Sequence, residues 1–262
     1  MTGTPLAAAI EGIGLWTPRA PSWEAYRALL AGTLSADAIA GTAARPAPAL
    51  LPPNERRRAP DTVLVALEAA QAACADAGRD PTTLPSVFAS TYGDLAITDH
   101  MCQTLATSPL ELSPTRFHNS VHNAAAGYWT IGTGAMTPAT ALSAGSASFA
   151  MGLLDALAQL HAGAPAVLLV GYDGASPGLL REVAHSDGLL GGAVVLARDA
   201  QAAPRLVLHQ EDGEAPPAPH ELADGNAMAP MLALFEALAR GADEALLPAG
   251  PGRRLRLELA HG

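Results

Sequence analysis

The residues best placed by type and spacing to do chemistry are the run Ser143-Ala144-Gly145-Ser146-Ala147-Ser148 and the pair His118 and His122. The run joins a strand-like stretch, Thr137 to Leu142, to a helical pattern reaching Leu160. Phe149, Leu153, Ala156, Leu157 and Leu160 recur there at the spacing of one helical face. A buried strand that turns sharply into a buried helix is good architecture for a nucleophile, because the free amides and macrodipole of the helix start stabilise an anion and lower a thiol's pKa. The turn carries no cysteine. Ser143, Ser146 and Ser148 could each supply a hydroxyl, but the pattern G-x-S-x-G is not matched and no base is evident, so they read first as helix caps.

His118 and His122 would share one face of a helix and could ligate zinc. The zincin pattern requires Glu directly after the first histidine; Asn119 stands there and no third ligand follows, so no metal is expected. Cys74 falls on an apolar stripe with Val63, Leu67 and Ala70 and reads as core. Cys102, in the helix-like stretch from Asp94 to Thr107, reads as structural too. The two form neither a C-x-x-C pair nor a disulfide framework. The chain has no lysine, which excludes P-loop and Schiff-base lysine chemistry. Gly12-Ile13-Gly14 lacks the third glycine of a dinucleotide fingerprint, and Gly188 to Gly192 lacks the ending of a P-loop, so both read as packing or turn glycines. No cofactor is expected.

The elements that must position these residues alternate between strand and helix. Ala7 to Leu15, Ser86 to Thr91, Thr137 to Leu142, Ala166 to Val170, Gly188 to Arg198, Arg205 to His209 and Arg253 to Leu259 read as strands. Helices are expected from Ser22 to Ala31, Asp61 to Ala77, Asp94 to Thr107, the turn to Leu160, and Met228 to Arg240, with Ser22 and Asp94 as N-caps and Gly32, Gly78 and Gly163 as stops. Residues 41–60 and 211–225 read as loops. The class is α/β.

Length and charge narrow the function. The 262 residues suffice for a real core, and 49% hydrophobic against 15% charged residues describes a folded chain. A net charge of −10 disfavours nucleic acid. The compact basic run, Arg56-Arg57-Arg58, reads as a solvated loop or as a small docking patch for an acidic carrier protein. No apolar run is long enough for a membrane span and no signal peptide is evident, so the cytoplasm is the expected location.

The run Ser143-Ala144-Gly145-Ser146-Ala147-Ser148-Phe149 resembles the nucleophile motif of the β-ketoacyl synthases, roughly T-A-C-S-S-S-L, at the same strand-to-helix turn. Five further segments resemble the synthases in order and spacing: AAAIEGIGLWTP the first strand, PSWEAYRALLAG the short helix after it, ERRRAPDTVLVALEAAQAACADAG the long helix ending in D-A-G, AVLLVGYDG an apolar strand ending in a glycine-rich turn, and GLLGGAVVLAR the strand that closes the N-terminal half. The resemblance covers about residues 7–200. It implies a thiolase-like layered α/β fold, N-terminal half only, over residues 1–200, with 201–262 as a short α/β extension packing on the same domain.

Two departures follow from the comparison. The nucleophile position falls on Gly145, flanked by Ser143, Ala144 and Ser146, where no thioester can form. The second synthase half, with its two catalytic histidines, is missing: His209, His220 and His261 lack those contexts. Acyl transfer needs both. No independent condensing activity is therefore expected. The resemblance is closest to the truncated synthase-like proteins of aryl polyene pathways, and implies a chain-length factor that forms a heterodimer with an active synthase, meets acyl carrier protein through that complex and shapes the acyl tunnel. Phe117, His118, Asn119, His122, Asn123, Ala124, Ala125 and Trp129 are then the interface and tunnel candidates. Two other classes remain: an acyl-processing enzyme with a non-cysteine nucleophile, and a purely structural interaction protein.

Overall fold

The computed structural model describes residues 5–34, 45–199, 204–217, 223 and 225–261. Eight strands among them form one sheet in the order β3-β2-β4-β5-β1-β6-β8-β7. They are β1 (Leu6–Trp16), β2 (Ser86–Ala89), β3 (Ala139–Leu142), β4 (Ala166–Asp173), β5 (Leu190–Ala197), β6 (Arg205–Asp212), β7 (Glu244–Pro248) and β8 (Arg253–Ala260). β2 is parallel to both β3 and β4, while β5 runs antiparallel to its neighbours β4 and β1.

β4 and β5 are buried along their whole length, as their continuous apolar runs require. Their side chains still alternate. Val167, Leu169, Val194 and Leu196 face one core, with α1 (Trp23–Leu30), α7 (Ser148–His161) and α9 (Leu232–Arg240). Leu168, Val170, Ala193 and Val195 face the other, with α3 (Asp61–Asp76) and α6 (Ala124–Thr133). The result is an α/β/α sandwich.

The seam between β1 and α3 is built on glycines. A Cβ on Gly14 would lie 2.1 Å from the Ala69 carbonyl oxygen, and one on Gly12 2.2 Å from that of Ala73. The glycines let the helix backbone rest directly on the strand, which agrees with their reading as packing residues. The register of β1 shifts between Ile10 and Gly12, and the Ile13 amide donates to the Asp76 carboxylate at 2.9 Å.

The C-terminal residues extend this sheet, with β6 pairing antiparallel to β1. One face of the extension carries Leu206, Leu208, Leu255, Leu257 and Leu259 into the first core. The other carries a charge ladder in which Arg254 and Arg256 both donate to Glu211, at 3.0 and 2.6 Å. This is the apolar-in, polar-out alternation of an antiparallel sheet wet on one side.

Four expectations need correction. Residues 53–58 of the anticipated loop form a short helix, α2 (Pro53–Arg58), opened by a proline at its first position. Met228 to Arg240 is a 3₁₀ turn at Ala229–Met231, with Pro230 in its first positions, followed by α9. β7 escaped sequence reading because it is five residues long and ends in proline. Cys102 is exposed on α4 (Leu95–Thr107), a helix that buries only Ile97. Cys74 is core, and burial pushes its thiol up to about 12. The loop expected at 211–225 and the position of His220 lie partly or wholly outside the described residues.

Candidate functional site

The turn from β3 into α7 lies exposed at one end of the sheet. Gly145 takes the left-handed conformation, φ +59°, and a Cβ built there would meet nothing within 4 Å. The position thus has room for a side chain and a backbone that favours glycine. Its neighbours are committed to holding the turn. Ser148 Oγ donates to the Gly145 carbonyl at 2.7 Å and accepts from the Ala144 amide at 2.9 Å. Ser143 Oγ donates to the Thr91 carbonyl at 2.9 Å. Ser146 is exposed, and no described histidine hydrogen-bonds to it. Ser143 and Ser148 therefore act as structural hydroxyls but not as the expected caps: the N-cap of α7 is Ala147, which makes no side-chain cap bond.

The loop after β2 supports the turn, and it is built on a residue that sequence reading passed over. Asp173, at the end of β4, is 1% exposed. Its carboxylate accepts from Ser90 Oγ at 2.6 Å, from the Thr91 amide at 2.9 Å and from the Tyr92 amide at 3.2 Å. Burial pushes its carboxyl above the ordinary range, against the pull of those donors. The available signal was a single acidic residue closing the apolar run AVLLVGYD.

His118 and His122 do not share a helix. His118 is exposed on α5 (Pro114–Asn119), which ends before His122, and α6 begins only at Ala124. The one-face condition for a zinc pair is unmet, and His122 instead sits with Nε2 3.0 Å from the Ser90 carbonyl.

The other candidates divide by depth. Trp129 is fully buried, its ring 6.4 Å from that of Phe88, and Ala125 is 1% exposed; both pack in the core and offer no surface. Asn119 is buried and accepts from the Tyr128 hydroxyl at 3.1 Å. Phe117, Asn123 and the half-buried Ala124 are accessible. Ile131 and Met136, which sequence reading did not single out, are 79% and 96% exposed. Six of the nine exposed large hydrophobics among the described residues fall between residues 105 and 136, and two of them, Val121 and Ile131, line one cleft. This stretch leads into β3, which ends the sheet and, among the described residues, has a strand neighbour on one side only.

Two adjoining clefts flank this surface. One of 770 Å³ is lined by Arg45, Arg58, Arg116, Asp94 and Ile97 among others, and one of 410 Å³ by Leu51, His118, Val121, Tyr128 and Ile131; Arg58 and Thr115 border both. Arg45 is engaged by Asp61 at 2.5 Å. Of the basic run, Arg56 donates to the Ala47 carbonyl at 3.0 Å, Arg57 bonds Asn54, and Arg58 faces the clefts.

The family model described as beta-ketoacyl synthase, N-terminal domain, matches residues 33–250. No curated protein matches in sequence. Among solved structures, the fold is similar to a chain in the complex of a ketosynthase (ApeO) with its chain length factor (ApeC) from Xenorhabdus doucetiae, with 24% identity, TM-score 0.76, and 96% of this chain and 99% of that one covered. It is similar to a chain of the ishigamide ketosynthase/chain length factor, at 16% identity and TM-score 0.76, with 98% and 100% covered. A beta-ketoacyl synthase from Burkholderia phymatum matches at 15% identity and TM-score 0.60, with 78% of this chain but 64% of that one covered. The fold is thus thiolase-like and close in extent to chains found in ketosynthase–chain length factor complexes. No described helix is long and apolar enough to cross a membrane.

Proposed function

We propose, from the premise that the chain belongs to the beta-ketoacyl synthase N-terminal domain family, that it is a non-catalytic subunit of a ketosynthase pair. In this reading it binds an active β-ketoacyl synthase and shapes the acyl tunnel of the complex in polyketide or aryl polyene biosynthesis. The observation that carries the reading is Gly145: the strand-to-helix turn is kept, held by Ser143 and Ser148, while its apex has no side chain to carry an acyl group. Acyl carrier protein meets the complex rather than this chain alone.

The surface supports pairing. Among the described residues one side of β3's ladder is open, and an open edge with exposed apolar side chains in the chain leading to it is costly in water unless a partner covers it. Phe117, Val121, Ile131 and Met136 form the apolar part of that surface, with His118, Asn123 and Ala124 beside them. Trp129 and Ala125 stiffen it from beneath.

The test is the product profile of a cognate ketosynthase assayed with carrier-bound substrates, with and without this chain. The reading expects products of defined length only with the chain present. An identical profile in its absence would remove the tunnel-shaping role. Ser146 is the weaker reading as a nucleophile, since no described histidine hydrogen-bonds to it.

A further inference from the structure

We infer that Asp173 is the positioning residue that fixes the degenerate turn and the α5–α6 connection relative to one another. Three chain segments, distant in sequence, meet at the loop after β2. Asp173 grips that loop from β4 through Ser90 Oγ, Thr91 N and Tyr92 N. The loop then passes its position on in two directions. The Thr91 carbonyl accepts from Ser143 Oγ at 2.9 Å, which places the turn, and the Ser90 carbonyl lies 3.0 Å from His122 Nε2, which places the connection between α5 and α6.

Neighbouring contacts reinforce the arrangement. Ser90 Oγ also accepts from the Gly93 amide at 2.9 Å, and the Tyr172 hydroxyl reaches the His122 carbonyl at 3.4 Å. On the far side, Asn226 Nδ2 donates to the carbonyls of Asp173 and Asp187 at 3.3 and 2.9 Å, tying the end of β4 to the segment that leads into α9. A buried carboxylate with three donors has a single low-energy placement, because each donor left without it would lose a charge-assisted bond away from water. No other described acid reaches both the turn and the α5–α6 connection through one shared loop. The use of these two surfaces in pairing rests on the proposed function; the coupling between them does not.

The experiment is amide hydrogen exchange on the isolated chain, compared with Asp173→Asn and Ser90→Ala. Asparagine keeps one acceptor but turns an amide donor toward one of the two backbone N–H groups, because Thr91 N and Tyr92 N bond different oxygens of Asp173. We expect exchange at least about tenfold faster in residues 90–93, 120–124 and 143–148 together, the size of one lost charge-assisted bond, with β5, β6 and β8 unchanged. Ser90→Ala removes the 2.6 Å contact and the acceptor of the Gly93 amide but leaves the Thr91 and Tyr92 bonds to Asp173, so it is the milder variant if Asp173→Asn does not fold. Acceleration confined to residues 90–93, or spread evenly through the sheet, would overturn the inference. Because no partner is present, the outcome is independent of whether this chain pairs with a synthase; partner affinity measured on the same variants tests that separately.

Discussion

The Cβ that Gly14 lacks would lie 2.1 Å from the carbonyl oxygen of Ala69, so strand β1 and helix α3 are in backbone contact. A methyl group cannot fit unless the helix moves. Gly14→Ala should destabilise the fold by about 1–3 kcal/mol or more, the usual range for overpacking. Gly134→Ala, at a helix end where a Cβ would meet nothing within 4 Å, isolates the strain of a positive φ and should cost about 1 kcal/mol. Denaturant midpoints of the two variants decide whether contact or conformation dominates.

Gly145→Cys should fold with a loss of about 1 kcal/mol, because the site has room but its φ of +59° disfavours a side chain. It should not condense acyl groups unaided, since no described histidine hydrogen-bonds to the turn. Assay of the purified variant with malonyl and acyl carrier substrates checks this, and turnover would contradict it.

Ala124 and Ala125 are adjacent in sequence and opposite in depth. A bulky residue at the buried Ala125 should destabilise the chain by about 1–3 kcal/mol through overpacking against the second core. The same substitution at half-buried Ala124, which borders the smaller cleft, should be tolerated and should shorten the products of the complex. Melting curves and product mass spectra separate the two effects.

Native alkylation should label Cys102 and spare Cys74. Cys102 is exposed, whereas burial pushes the Cys74 thiol up to about 12 and removes its reactive thiolate. Intact-mass spectrometry should find one adduct in the folded chain and two after denaturation.

The charge ladder gives stability a dependence on pH. Arg256 and Arg254 hold the Glu211 carboxyl below its ordinary value of 4.5. For a depressed acid the contribution is complete above the unfolded pKa and is lost as pH falls through the folded one. Glu211→Gln should therefore flatten the stability profile below about pH 4.5 and leave its shape near neutrality unchanged.

Most of the fold was legible in the residues. The fully buried β4 and β5 announce themselves as apolar runs, α7 by its stripe from Phe149 to Leu160, and α1 by the Ser22 cap, which accepts from the Ala25 amide at 3.2 Å. Short elements were not. α2, α5 and β7 have too few residues for a period to show, and they hold their shape through tertiary contacts. At the site, Gly145 was legible because the lack of a side chain at the turn is a matter of residue type. Asp173 was not, because its importance lies in loop residues more than eighty positions away that only the fold brings to it. The histidine pair misled because a spacing of four signifies a shared face only within one helix, and a break falls between His118 and His122.

The most direct test of the central claim is the native mass of whatever this chain forms when co-expressed with a ketosynthase from its own genome. The account predicts a stable one-to-one complex, weakened when Ile131 and Met136 are replaced by charged residues. A chain that purifies alone, well folded and indifferent to those substitutions, would contradict it.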